Sequence, residues 1–383
     1  MEQYLPEVIS GAYTFVVYLA PGLLTALGLC FFFIKIPQEH SLDSYRRSRR
    51  IMAITFVLYG LSVLVDDVYS SGMNNDLMLE RLVIIAISAF QAFLFTTTLV
   101  TLVDMSYFTV KRMMAEGIAM LAMFAAAFGV ACTFGGSAAA VYVVCMGGYV
   151  VLLVRYVHIF RCRYAMYMEL MDNYYSADED CRLLWVKRSF YWSLGIGVLA
   201  LVYSLVPNPV TSLLFMAAAI AYYVFFGIRF VNYTYDFTFY RQVADKTDLC
   251  AVAKAQPPTD AEMQMMQHID MIMHDEKVYR SATLTINVLA AKLGRNQRMV
   301  SAVISHCRNT NFKSYINAMR VDEAVRLVSD GWLDTHTIDA LATECGFANR
   351  VSFYRAFKQQ KGVSPTEFLL QKAHNVTTTA LSN

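Results

Sequence analysis

Nine residues in the last quarter of the chain have side chains suited to reading the edge of a nucleic-acid duplex. They are Asn296, Gln297, Arg298 and Ser301, then Asn349, Arg350, Tyr354, Arg355 and Lys358. An arginine fork matches O6 and N7 of guanine, asparagine or glutamine can pair with adenine, and lysine or serine mostly holds phosphate. No competing chemistry is written in the chain. It has no His-Glu-x-x-His, no Gly-x-Ser-x-Gly, no phosphate-cradling glycine loop and no kinase-like ATP site, so neither an enzyme nor a cofactor is expected. Eight cysteines (Cys30, Cys132, Cys145, Cys162, Cys181, Cys250, Cys307 and Cys345) lack any ligand spacing, which argues against a disulfide framework or a zinc site. His268 and His274 are six apart, a spacing that does not put both on one helix face. Asp66 and Asp67 are adjacent and point about 100° apart on a helix, with no partner carboxylate in another apolar run, so an aspartyl protease is not expected either.

Two similar elements must hold the nine residues in place. Ile286, Leu289, Ala290 and Leu293 lie at i, i+3, i+4 and i+7 and stop at Gly294, and Ile338, Leu341, Ala342 and Cys345 repeat the pattern and stop at Gly346. Thr285 and Thr337 occupy the two N-cap positions. After each glycine a second helix is predicted, Gln297–Ser305 with Val300, Val303 and Ile304 inward, and Arg350–Lys358 with Phe353, Ala356 and Phe357 inward. A short helix, a glycine turn and a second helix make a helix-turn-helix, here twice, at about 285–306 and 337–359. Between them Phe312–Ser329 reads as one long helix closed by Gly331, and Ser364-Pro365-Thr366-Glu367 is a capping box. An amphipathic helix over Asp260–Val278, with Met263, Met266, Ile269 and Ile272 on its apolar face, precedes them. Lys292 to Arg326 holds seven basic and two acidic residues, whereas Asp330 to Glu344 holds four acidic and none basic, which makes the reading side basic.

With these landmarks the segment from about Glu276 to Leu370 resembles the AraC/XylS family of transcription regulators. The second unit carries it most specifically: Ile338-Asp-Ala-Leu-Ala-Thr-Glu-Cys-Gly346-Phe347, then Phe353-Tyr-Arg355-Ala-Phe357-Lys358, then Gly362-Val-Ser-Pro365. Leu289-Ala-Ala-Lys-Leu-Gly294 and Asn311-Phe312-x-x-Tyr315-Ile316-Asn317 are similar to the Bacteroidetes-type variant. The resemblance implies sequence-specific binding of double-stranded promoter DNA, with RNA polymerase and a second copy of the chain as expected partners. Ala302 and Ala348 depart from it, the first where a basic or polar reader is usual and the second where a serine cap is usual, which leaves capping to Asn349.

The rest of the chain is of a different kind. Composition is 57% hydrophobic and 16% charged, and nearly all the apolar excess precedes Tyr233. Seven runs of membrane-spanning length occur, at Tyr13–Ile34, Ile51–Tyr69, Leu82–Val103, Gly117–Phe134, Ala138–Tyr156, Phe190–Val206 and Val210–Ile228. The second is the weakest, because Asp66 and Asp67 interrupt it. Basic residues follow the first, third and fifth runs (Lys35, Arg46, Arg47, Arg49 and Arg50; Lys111 and Arg112; Arg155, Arg161, Arg163, Arg182, Lys187 and Arg188), while the other loops are poor in base. The positive-inside rule then puts the N-terminus outside and the C-terminus inside, as an odd count of spans requires. Glu2 and Glu7 stand where a targeting sequence would be basic, so the N-terminus reads as mature protein. Gln91 and Thr96-Thr97-Thr98 would either line a cavity or make interhelical hydrogen bonds. The inside loop from Arg161 to Arg188 is either a site of cytoplasmic contact or a juxtamembrane helix pair with Trp185 at the interface.

The expected fold is all-α: a polytopic bundle of about seven spans over 1–230, a cytoplasmic tether over 231–259, a double helix-turn-helix domain over 260–373 and a tail over 374–383. Its expected place is the bacterial inner membrane, multi-pass, with the lipid bilayer and an unknown signal or membrane partner around the bundle. The alternative is a seven-span receptor or transporter whose cytoplasmic helical tail docks a protein.

Overall fold

Long apolar runs become long helices in the computed structural model, which describes residues 5–36, 43–72, 77–104, 107, 109–134, 137–177, 180–206, 209–233 and 257–371. Each of the seven runs falls on one helix: α1 (Leu5–Phe33), α2 (Asp43–Gly72), α3 (Leu77–Val103), α4 (Val110–Thr133), α5 (Ala138–Tyr174), α6 (Asp180–Leu205) and α7 (Pro209–Asn232). Most helices outrun their apolar stretch, because charged residues such as Arg46 to Arg50 end an apolar run without breaking a helix. Among the described residues five stretches, Thr14–Phe33, Met78–Val103, Val110–Thr133, Ala138–Tyr174 and Val210–Asn232, are long and apolar enough to cross a membrane. α2 is the helix with the two aspartates, and in α6 the apolar content is diluted by Tyr191, Trp192, Ser193, Gly195 and Gly197.

The chain divides into two compact units, one of Met1–Tyr167 with Arg182–Ala244 and one of Met168–Cys181 with Asp245–Asn383. In the first, α1 packs on α2 and α7, and α2 on α3. Gly28 permits the close approach of α1 to α2, since a Cβ there would sit 2.9 Å from the Ala53 carbonyl oxygen. Rings from α1, α2, α3 and α7 fill the interior, among them Phe31 stacked on Phe56 at 5.6 Å and Phe95 against Tyr223 at 5.0 Å. Tyr223 also donates to Gln91 Oε1 at 2.6 Å, and both line a pocket with Tyr59, Tyr149 and Tyr222. Among the threonines, Thr97 lines a small pocket with Tyr107 and Arg112. Thr97 and Thr98 donate to their own helix, to the Phe93 and Leu94 carbonyls at 2.8 and 2.9 Å.

Contacts in this unit gather the basic stretches at one end. Tyr45 on α2 donates to the Phe230 carbonyl at 2.8 Å, Ser48 donates to the Thr98 carbonyl at 3.4 Å, Arg163 on α5 pairs with Asp104 after α3 at 2.6 Å, and Arg155 pairs with Glu116 on α4 at 3.1 Å. At the other end Arg81, opening α3, donates to the Leu205 carbonyl at 3.1 Å. The up-and-down order of a helix bundle follows.

In the second unit the elements are α8 (Asp260–Glu276), α9 (Ile286–Leu293), α10 (Gln297–Arg308), α11 (Phe312–Ser329), α12 (Ile338–Glu344), α13 (Arg350–Lys361) and α14 (365–371). Two small cores share α11. Ile286, Leu289, Val300, Ile304, Phe312 and Ile316 are 0% exposed around the first helix pair, and Val321, Ala324, Cys345 and Phe353 are 0% exposed around the second. α8 buries Met266, Ile269 and Met273, while Met263, expected on that face, is 45% exposed. Its first turn is fixed by a capping box, with Thr259 and Glu262 exchanging hydrogen bonds. The expected tether falls mostly on 234–256, which with the expected tail over 374–383 lies outside the described residues.

Candidate nucleic-acid interface

Both helix pairs form where the spacing puts them. Gly294 and Gly346 have φ of 62° and 91°, the left-handed conformation that turns the chain out of α9 and out of α12. Thr337 accepts from the Ala340 N–H at 3.2 Å as an N-cap should. The Thr285 hydroxyl makes no such bond; its backbone instead forms an antiparallel bridge with Tyr175. α10 and α13 each run one turn beyond the predicted end, because the chain-reversing residues are Asn309, at φ 49°, and Gly362, at φ 78°. Val300, Val303, Ile304, Phe353, Ala356 and Phe357 all point inward as predicted.

The outer faces hold most of the candidate readers. Arg298 is exposed on α10, and Gln297 is half-buried at its start. Asn296 serves as the N-cap, its Oδ1 accepting from the Arg298 N–H at 2.9 Å. Ser301 is a correction: it is 3% exposed on the inward side with Val300 and Ile304. α10 packs against α8, α9 and α11, so its buried face is broader than the Val300, Val303, Ile304 pattern suggests and takes in the serine. A groove cannot be reached from there.

On α13, Arg350, Arg355 and Lys358 are exposed and Tyr354 is half-buried. Asn349 caps the helix, accepting from the Ser352 N–H at 2.9 Å, the work that Ala348 cannot do. Arg350 is aimed by its neighbours. Its Nη2 donates to the Tyr354 hydroxyl at 3.1 Å, its guanidinium lies 5.0 Å from that ring, and Asp339 on α12 stands 3.4 Å from Nη1. The Tyr354 hydroxyl is itself bonded to Thr366 on α14 at 2.9 Å, where Ser364 and Glu367 form the predicted capping box. A rigid fork held this way loses less rotamer entropy when it meets a base edge.

The charge pattern is thinner in space than in sequence. Of the seven basic residues from Lys292 to Arg326, Lys292 pairs with Glu276 at 2.5 Å, Arg308 with Asp270 at 2.5 Å, Lys313 with Asp172 at 2.9 Å, Arg326 with Glu323 at 2.9 Å, and Arg320 is buried. Arg295 and Arg298 are exposed beside the start of α10. Glu323 sits among Arg326, Arg280 and Lys277, which hold its carboxyl down at about 2.

Sequence reasoning missed the residues that hold this unit to 168–177: Asp172, Tyr174, Tyr175 and Ser176 on one side, Asn287, Lys313 and Arg320 on the other. The acidic and aromatic character of the inside loop hinted at a contact, but no local pattern names a partner more than 100 residues away.

No curated protein and no solved structure matches the chain. Residues 289–371 match the family described as a helix-turn-helix domain, so this segment of the chain is an AraC-type helix-turn-helix domain.

Proposed function

We propose that the chain is a membrane-integral, one-component transcription factor that binds promoter DNA sequence-specifically through both helix-turn-helix units from the cytoplasmic face of the bacterial inner membrane. The observation that carries this reading is the pair of second helices, α10 and α13. Each buries one face in its own core and turns arginine outward, Arg298 on one and Arg350 with Arg355 on the other. An arginine on a helix of this kind reaches guanine in the major groove, while Lys358 and the N-cap region meet phosphate. RNA polymerase and a second copy of the chain belong to this reading as partners at the promoter.

The proposed insertion has seven spans and the N-terminus outside, and insertion itself is supported by the surface of the helices. Val143, Val144, Val150, Val151 and Val154 on α5 are 44–74% exposed, and Met114, Ile118, Leu121 and Met123 on α4 are 51–61% exposed. Apolar surface of that extent is favourable against lipid and costly against water. The basic stretches gathered at one end suit the positive-inside rule.

Mapping the DNA that co-purifies with tagged full-length protein across the genome tests the proposal. Discrete promoter peaks are expected, and Arg298→Ala or Arg355→Ala is expected to weaken them by about 1–3 kcal/mol each and to relax a base position. Uniform background recovery, equal in wild type and variants, overturns the reading.

A further inference from the structure

The last two turns of α5 and the three residues after it belong to the same compact unit as the helix-turn-helix domain, although they lie 80 residues or more before it in sequence. Leu170, Met171, Asn173, Tyr174, Tyr175 and Ser176 are all buried there. Ser176 donates twice to the Leu284 carbonyl, from its N–H at 3.2 Å and from its hydroxyl at 2.7 Å. Tyr175 pairs by backbone with Thr285, and Asn287 donates to the Tyr174 hydroxyl at 2.5 Å. Lys313, 13% exposed, pairs with Asp172 at 2.9 Å. Leu284, Thr285 and Asn287 surround the N-terminus of α9, and Lys313 opens α11.

Arg320 closes the arrangement. Its side chain is among the largest that are fully buried, at 1% exposure, and each of its five N–H groups has an acceptor. Nε donates to the Tyr279 carbonyl at 2.7 Å; Nη1 to the Ser176 carbonyl at 3.0 Å and Asn317 Oδ1 at 3.5 Å; Nη2 to Ser176 Oγ at 2.9 Å and the Ser281 carbonyl at 2.9 Å. The guanidinium also lies 5.5 Å from the Phe347 ring, at the turn of the second helix pair. Two of the five acceptors thus come from Ser176. A buried cation deprived of two acceptors is strongly disfavoured, so 168–177 completes the domain.

We propose that residues 168–177 are a clamp that positions the first reading helix, so that the DNA affinity of the C-terminal domain depends on the end of α5. The inference rests on the DNA-binding reading above. Its physical basis is that α9 packs on α10 and turns into it at Gly294, so the clamp fixes Arg298 through α9. Base readout needs placement within about 0.5 Å, which an unclamped α9 does not supply.

The test uses full-length protein in bilayer nanodiscs and a duplex recovered with the wild type. Asp172→Asn, Tyr174→Phe and Ser176→Ala are combined, none of them a residue that meets DNA. DNA affinity is expected to fall at least tenfold and amide exchange over 284–293 to quicken, with α12 and α13 unchanged. Arg298→Ala should instead lower affinity and leave exchange over 284–293 as in wild type. If the combined variant also loosens α12 and α13, Asp172→Asn alone decides the matter: it is expected to lower affinity more than twofold. Affinity within twofold of wild type in the folded clamp variant overturns this inference and leaves DNA binding standing. A wild type that binds no duplex overturns the DNA-binding reading and this inference with it.

Discussion

Exposure and pairing of single side chains decide which residues can act, and here they refine the expectation from sequence. Arg298, Arg350, Arg355 and Lys358 stand outward as their helical phase requires, whereas Ser301 follows the same phase and is buried. The difference lies in neighbours: a helix packed on three sides keeps little free circumference, and sequence periodicity records only that an apolar face exists. Five of the seven basic residues between Lys292 and Arg326 likewise meet carboxylates or the interior, which no count of charges foretells. One such centre titrates. Glu323 is 7% exposed and accepts from Arg326 at 2.9 and 3.0 Å, with Arg280 and Lys277 alongside, and these partners hold its pKa at about 2, below the ordinary 4.5. Its folded pKa is depressed, so the stabilisation is complete above about pH 4.5 and is lost as pH falls towards 2. Glu323→Gln is therefore expected to destabilise the C-terminal unit by on the order of 2 kcal/mol near pH 6, and by progressively less below pH 4.5. Urea titrations read by hydrogen exchange at α11 check this; a difference independent of pH counts against it.

Elements were legible wherever their ends are written in local chemistry. Gly294, Gly331, Gly346, Thr337, Asn349 and the Ser364–Glu367 box mark boundaries that the structure keeps. Asn309 carries no such local signal, being a non-glycine in the left-handed region, and α10 runs on to it. Thr285 has the sequence of a cap and does not cap, because the local backbone is engaged by Tyr175, 110 residues earlier. The two turn glycines are alike in sequence and unlike in packing, which separates them experimentally. A Cβ on Gly294 would meet nothing within 4 Å, while one on Gly346 would sit 2.5 Å from the Arg280 carbonyl oxygen. Gly294→Ala is expected to cost about 1 kcal/mol, the ordinary left-handed penalty. Gly346→Ala carries that penalty and a backbone collision, and is expected to cost at least about 3 kcal/mol. Equal losses of stability for the two would refute the packing argument at Gly346.

At the scale of the whole molecule, composition separated an apolar N-terminal part from a charged C-terminal part and the structure keeps that division, except that Met168–Cys181 joins the second unit. Hydropathy alone could not assign that segment, since it is neither apolar enough to extend a span nor periodic enough to extend the helix-turn-helix pattern. α5 is one uninterrupted helix from Ala138 to Tyr174, with its residues to Tyr167 in the first unit and those from Met168 in the second. A continuous helix conveys rotation as well as position, which a flexible linker does not. Each residue added within it turns the C-terminal remainder of the helix by about 100° and advances it by about 1.5 Å. Two alanines inserted after Tyr167 would turn the clamp by about 200°, whereas seven would turn it by about 700°, within roughly 20° of two full turns. If α5 conveys the state of the bundle to the DNA-binding domain, the two-residue insertion should abolish target-promoter occupancy and the seven-residue insertion should largely keep it, although the latter lengthens the helix more. Promoter occupancy measured in cells for parent, two-residue and seven-residue forms, with membrane levels matched, distinguishes the cases. A monotonic decline with insert length would indicate that reach matters and phase does not. Parental occupancy in both forms would mean that the bundle only anchors the domain, because a coupling strong enough to change occupancy several-fold, on the order of 1–3 kcal/mol, could not survive a half-turn of the helix that carries it.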